Sequence, residues 1–303
     1  MSGVIPRITA SHFVSLKSTK SSRRVVVDSL FRLFLWMALA VAVGTILTLL
    51  VDLVVEGAQR LNWDLVANMP SARPERAGIQ SAIFGSLWVV GTTAAISIPT
   101  GVAAAVYLEE FASKDQWYNR LIELNIQNLA SVPSVVYGIL GLAFIARGFL
   151  GLGFTVITAA LILTLVVLPT VVIASREALR AVPDSLRQGS LALGATEWET
   201  VSRQVLPAAV PGIATGTILS TSRALGESAP LLLVGALTFV TFNPTGLDST
   251  YTVLPLTIFR FISEARLEFR PLAAAASVVL LVMLLGMNAF AILLRNRYEK
   301  KLR

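Results

Sequence analysis

Two ionisable side chains stand inside an apolar run, where charge is expensive. In Ser220–Leu231, read STSRALGESAPL, Arg223 precedes Glu227 by four residues. On a continuous helix that spacing puts both heads on one face, about 6 Å apart along the axis. Counted from Ala209 to Leu237, Arg223 is the central residue, so a spanning helix holds its guanidinium near the bilayer midplane. Gly216 and Ser220 share the stripe. An Arg or Glu at that depth costs at least about 2.5–3.5 kcal/mol, so both must face protein or a wet cavity. Two readings fit: a path for something charged, or a pair that neutralises itself and docks one helix on another. The two residues alone leave both open and name no substrate.

Composition points to the elements that must position this pair. Hydrophobic residues make up 55% of the 303, charged residues 14%, and the mean hydropathy is +0.73. Soluble domains carry about 25% charged residues. Six windows are long and apolar enough to span: about 31–55, 82–108, 125–145, 154–174, 209–240 and 271–294. The first begins too late and runs too long for a cleavable signal, so it reads as a retained anchor. Small residues and Pro99 in the second window, and Pro133, Gly138 and Gly141 in the third, predict bent interior helices. Asn125, Gln127 and Asn128 at the entry of the third read as polar interface residues, with bonding between helices as the alternative.

The net charge of +7 is explained by orientation. With six spans and a cytoplasmic N-terminus, seventeen of the 25 Lys/Arg fall inside and seven outside, Arg223 being the remaining one. That is the positive-inside bias, with both termini cytoplasmic, and nucleic acid is not needed to explain it. The organisation is then a basic tail over 1–29, an anchor and outer loop over 30–80, a core over 81–296 with a long loop at 175–207, and a basic tail over 297–303.

Several chemistries are excluded. The chain has no cysteine, so thiolate metal sites and thiol catalysis are absent, and no metal site is expected. Its one histidine, His12, lies in the polar tail. No GxxxxGK[ST] loop occurs, and a Ser/His/Asp triad has no histidine in the core. No catalytic residue is assigned, and the chain is expected not to be an enzyme.

The loop over 175–207 has the most local order. Pro183–Asp184 starts a short helix, with Leu186, Ser190 and Leu193 on one stripe and Gly194 as its C′ cap. Thr196 with Glu199 forms a capping box for a second short helix, which Leu206–Pro207 is expected to end. Such a pair either presents a surface to a partner or packs on its own spans. The outer stretch around Tyr251–Phe261 is apolar enough to be re-entrant or interfacial.

In this loop the chain resembles the inner-membrane permeases of binding-protein-dependent ABC transporters. Their signature is EAA, three residues, Gly, nine residues, an aliphatic, one residue, then Leu-Pro. Gly194, Ala195, Thr196, Leu206 and Pro207 keep that pattern, while Gln188, Gly189 and Ser190 stand where EAA is expected and Gln204 at the aliphatic position. SVPSVVYGILGLAF and SRALGESAPLLLVGA are similar to the phosphate-specific (Pst-type) permeases, and YTVLPLTIF to their A-type subunit. The resemblance implies an all-α membrane protein of six transmembrane helices, the MetI-like type I importer fold, with a cytoplasmic coupling-helix loop. It further implies a heterodimer with a C-type sister permease, two copies of a cytoplasmic ATPase carrying ATP and Mg, and an external phosphate-binding protein. This chain itself would hold no cofactor. Arg223 would then grip phosphate with its planar fork, Glu227 would offset it when empty, and Ser220 and Ser222 would donate hydroxyls. A permease for phosphonate or molybdate, an ion-coupled carrier with Glu227 as proton acceptor, and a membrane sensor stand as alternatives.

Overall fold

The structure, a computed structural model, describes residues 22–113, 116–235 and 239–302. Among these residues it is helical apart from turns and one isolated bridge between Thr155 and Thr250. The chain divides into two compact units, Met1–Asp52 and Leu53–Arg303. The first contains most of α1 (Ser22–Gly57), an apolar helix long enough to cross a membrane. Most of the tail expected over 1–29 lies outside the described residues, but from Ser22 the chain is already helical.

The second unit holds α2 (Trp63–Ala67), α3 (Gln80–Val106), α4 (Trp117–Ala130), α5 (Ser134–Leu140) and α6 (Val156–Arg180). It continues with α7 (Asp184–Ala192), α8 (Glu197–Thr200), α9 (Leu206–Gly226), α10 (Ala229–Leu233), α11 (Leu254–Ser263) and α12 (Arg270–Leu302). Wider π-turns extend α3 over Tyr107–Phe111, extend α5 over Gly141–Ala146, and join α8 to α9 over Val201–Val205. The basic end expected as a separate tail continues α12, because Arg, Glu, Lys and Leu are all good helix formers.

α6 is the centre. Its Val156, Ala159, Ile162, Leu163 and Val167 are buried, with α3 packed on it and α9 packed on it as well. Lipid supplies no hydrophobic drive between helices, so close approach of small residues does this work. A β-carbon on Gly101 would fall 2.6 Å from Val171, and one on Gly212 would fall 2.7 Å from Ala178. One turn on, Gly216 meets Ala174 in the same way. Gly212 and Gly216 of α9 thus face Ala178 and Ala174 of α6, small residue against small residue.

Among the described residues five helical runs are long and apolar enough to span, and a sixth appears only if α4 and the α5 run count together. Those two halves meet at 104°, so the bent third span is broken in two. Pro133 cannot donate to the Leu129 carbonyl, and the Tyr137 hydroxyl takes that carbonyl instead at 2.8 Å. The polar entry residues are exposed, as interface residues would be. Asn125 donates to the Leu121 carbonyl of its own helix, and Gln127 and Asn128 are exposed.

The stretch expected to be re-entrant or interfacial forms α11, at ten residues too short to cross. It packs on α12, and the rings of Phe261 and Phe269 stack 5.5 Å apart. α3 secures the neighbouring loop: Ser81 donates to the Val240 carbonyl, and Ser86 accepts from the Leu254 N–H, both at 2.9 Å.

Candidate functional site

α9 ends at Gly226 and carries Arg223 in its last turn. Glu227 is the first residue beyond it, extended at φ −72° and ψ 121°. The single span expected to reach Val240, with Arg223 at its middle, is therefore two helices. Pro230 is the cause. Its ring would collide with the carbonyl four residues back, that of Gly226, and it has no N–H to offer that carbonyl. The chain turns at Glu227–Ser228 and restarts as α10, with Pro230 in the first turn, where no N–H is required.

The break keeps the charged pair together. Arg223 Nε lies 3.2 Å from Glu227 Oε1, and the cation sits at the carbonyl end of α9, where the helix dipole favours it. The Arg223 side chain is 54% exposed and that of Glu227 16%, so the pair lies on an open face and is not sealed in a helix contact. The serines are placed differently. Ser220 is buried and donates to the Gly216 carbonyl at 2.9 Å, on the side of α9 packed against α6. The Ser222 hydroxyl lies 2.8 Å from the Ile218 carbonyl and donates to Asn288 Oδ1 on α12.

The second site is the segment between α6 and α9. Pro183 is the N-cap of α7 and Asp184 its first residue. Gly194 adopts φ +87°, a conformation that favours glycine, and its N–H closes on the Leu191 carbonyl at 2.9 Å. Thr196 and Glu199 form the capping box of α8. Leu206–Pro207 does not end that helix: the π-turn over Val201–Val205 carries it into α9, where Pro207 occupies the first turn. Gln188, Gly189, Gly194 and Thr196 are exposed, Ser190 and Ala195 half-buried, and the Ser190 hydroxyl accepts from Thr200 at 2.9 Å. Between α7 and α8 lies a groove of about 560 Å³ lined by Leu186, Gly189, Ser190, Leu193, Glu199 and Arg203. Leu193 at its edge is 91% exposed.

Sequence reasoning missed the charges that hold this segment. Arg187 Nη2 bonds Glu110 Oε1 at 2.8 Å and its Nε bonds Oε2 at 3.2 Å. The same guanidinium donates to the carbonyls of Leu179 and Val182, at the end of α6. The Glu110 bond holds the Arg187 guanidinium above its ordinary value. Glu109 takes Arg176 at 3.2 Å and Arg180 at 2.8 Å. Arg176, Arg180 and Arg187 read from sequence as positive-inside residues only. The available signal was Glu109–Glu110 closing one apolar window near arginines spaced by four that close another.

Comparison with known proteins gives the class of protein that carries this fold. The chain belongs to the binding-protein-dependent transport system inner membrane component family, matched over residues 97–303, and is an inner-membrane ABC permease with several apolar helices. It is 33% identical over 237 residues to the probable ABC transporter permease protein YqgI of Bacillus subtilis (strain 168), covering 78% of this chain and 80% of that one. It is 32% identical over 278 residues to the phosphate transport system permease protein PstA of Mycobacterium leprae (strain TN), covering 89% of each. A crystal structure of a bacterial alginate ABC transporter, in complex with a pentasaccharide-bound periplasmic protein, superposes with TM-score 0.63 at 19% identity, over 89% of this chain and 94% of that chain. An inward-facing MetNI methionine ABC transporter superposes with TM-score 0.58 at 17% identity, over 75% and 99%. The fold is that of the MetI-like type I importer permeases.

Proposed function

We propose that this chain is a transmembrane subunit of an ATP-driven importer of inorganic phosphate, with Arg223 and Glu227 on the translocation path. The observation that carries the reading is the pair itself: a half-exposed guanidinium with a carboxylate one turn away, on an open face of an apolar bundle. Facing lipid, that face would be costly. A sister C-type permease covers it and leaves a wet passage between the halves. Relatives named as phosphate transport permeases, similar over nearly the whole chain, support phosphate as the cargo.

Arginine's fork matches phosphate oxygens bidentately. Glu227 holds the guanidinium when the path is empty and competes with the anion when it is full. The competition keeps affinity low enough for release, as conduction requires. ATP and Mg belong to two ATPase subunits at the cytoplasmic face, which grip the groove between α7 and α8, and both termini lie on that same side. An external phosphate-binding protein delivers the anion from the other side. This chain supplies passage and coupling and catalyses no reaction.

The test is ATP-dependent phosphate uptake in vesicles by an Arg223→Gln chain with its assembly verified. Uptake should be lost, and normal uptake would end the proposal. Single cysteines at Ser190 and Ala195 should crosslink to the ATPase, in a chain with no native cysteine to confuse the result.

A further inference from the structure

Three consecutive residues of one π-turn hold three different helices. At the end of α3, Glu109 bonds Arg176 and Arg180 of α6, and Glu110 takes Arg187 of α7 in a two-bond fork. Phe111 lies against Trp198 of α8, with ring centroids 6.2 Å apart. An α-helix rotates about 100° per residue. The i→i+5 turn, closed by the Ala112 N–H on the Tyr107 carbonyl at 2.8 Å, rotates less, so three successive side chains fan across neighbouring elements. The Glu109 and Glu110 side chains are only 9% and 7% exposed. Buried carboxylates of this kind persist only with their partners in place. Arg187 also ties α7 to the Leu179 carbonyl of α6 and to the Val182 carbonyl just beyond it, so α3, α6 and α7 meet on one side chain.

The connection of the same segment to α9 has a different character. It runs through the π-turn Val201–Val205, while the side-chain bond from Thr200 to Ser190 stays within the segment, between α8 and α7. No ion pair joins α7 or α8 to α9 among the described residues.

We infer that the π-turn Tyr107–Phe111 is the element through which α3 follows the α7–α8 segment, with Arg187 the positioning residue that locks them. The ends of α3 and α6 then move with α7 and α8 as one block, and bending during transport falls at the Val201–Val205 turn. The inference rests on the reading that α7–α8 docks on the ATPase, and two measurements separate them.

In the reconstituted transporter, Arg187→Met should leave ATP hydrolysis running while phosphate uptake per ATP falls about tenfold. Exchanging the charges, Arg187→Glu with Glu110→Arg, should restore part of that ratio, which a loss of mere bulk would not allow. An unchanged ratio in Arg187→Met overturns the inference. Should that variant fail to assemble, a Phe111→Cys/Trp198→Cys chain bridged by a short thiol crosslinker decides. A block that moves as one tolerates the bridge and keeps its uptake, whereas a segment that slides past α3 is stopped by it. Failure of Ser190 and Ala195 cysteines to reach the ATPase in the wild-type background would instead sink the docking reading, leaving the bridged chain to be judged on its own.

Discussion

A β-carbon on Gly138 would fall 2.7 Å from the Cα and carbonyl oxygen of Pro230. The backbone of α10 therefore lies directly on α5, and the turn that carries Glu227 is pinned from behind by a glycine. Gly138→Ala should push α10 away, at a cost of about 1–3 kcal/mol for overpacking. Thermal unfolding in detergent should report the loss, and uptake should fall with it because Glu227 moves relative to Arg223. A chain with unchanged melting and uptake would show that the contact yields freely.

Glu227 should act as a brake as well as a partner. In Glu227→Gln the guanidinium loses its competing carboxylate, so phosphate should bind more tightly and leave more slowly. Initial rates in vesicles should show a lower KM together with a lower maximal rate. A raised KM with an unchanged maximal rate would remove the carboxylate from the release step.

Ser220 offers a sharper separation of path from scaffold. Its hydroxyl is buried and already spent on the Gly216 carbonyl. Ser220→Ala should therefore change stability by no more than about 1 kcal/mol and leave uptake near normal. A large loss of uptake in a stably folded Ser220→Ala chain would return that hydroxyl to the substrate route.

The loop caps should matter in proportion to their geometry. Thr196→Ala removes the capping box of α8, at a cost of about 1 kcal/mol. Gly194→Ala places a β-carbon at φ +87°, with a strain of about 1–2 kcal/mol. Nothing lies within reach of that added carbon, so the strain is purely conformational. Limited proteolysis between α7 and α8 should quicken in both. Stimulation of the ATPase by this chain should fall in step.

Much of the molecule was legible without coordinates because membrane physics is local. About twenty apolar residues in a row mark a span, glycine after an apolar stripe marks a helix end, and Thr196 three residues before Glu199 marks a helix start. From these came the helical class, the spans and the capped loop, and Arg223 and Glu227 stood out because charge in an apolar run is costly wherever the run leads. What a window of hydropathy does not carry is the backbone's own hydrogen bonding. Pro133 and Pro230 each end a helix that apolarity alone would continue, and the Gly226 carbonyl and the Pro230 ring decide that Arg223 stands at a helix end and not at its middle.

The partners of the other polar groups were decided by tertiary structure alone. Glu109 and Glu110 lie far along the chain from Arg176 and Arg187 and meet them because α3 and α6 pack side by side and end at the same level. Ser222 could face a passage or a neighbour by its own periodicity, and its bond to Asn288, sixty-six residues on, is not written in that periodicity. A side chain's spacing along a helix determines which face it is on. Which element covers that face depends on packing between distant segments, and no local rule contains it.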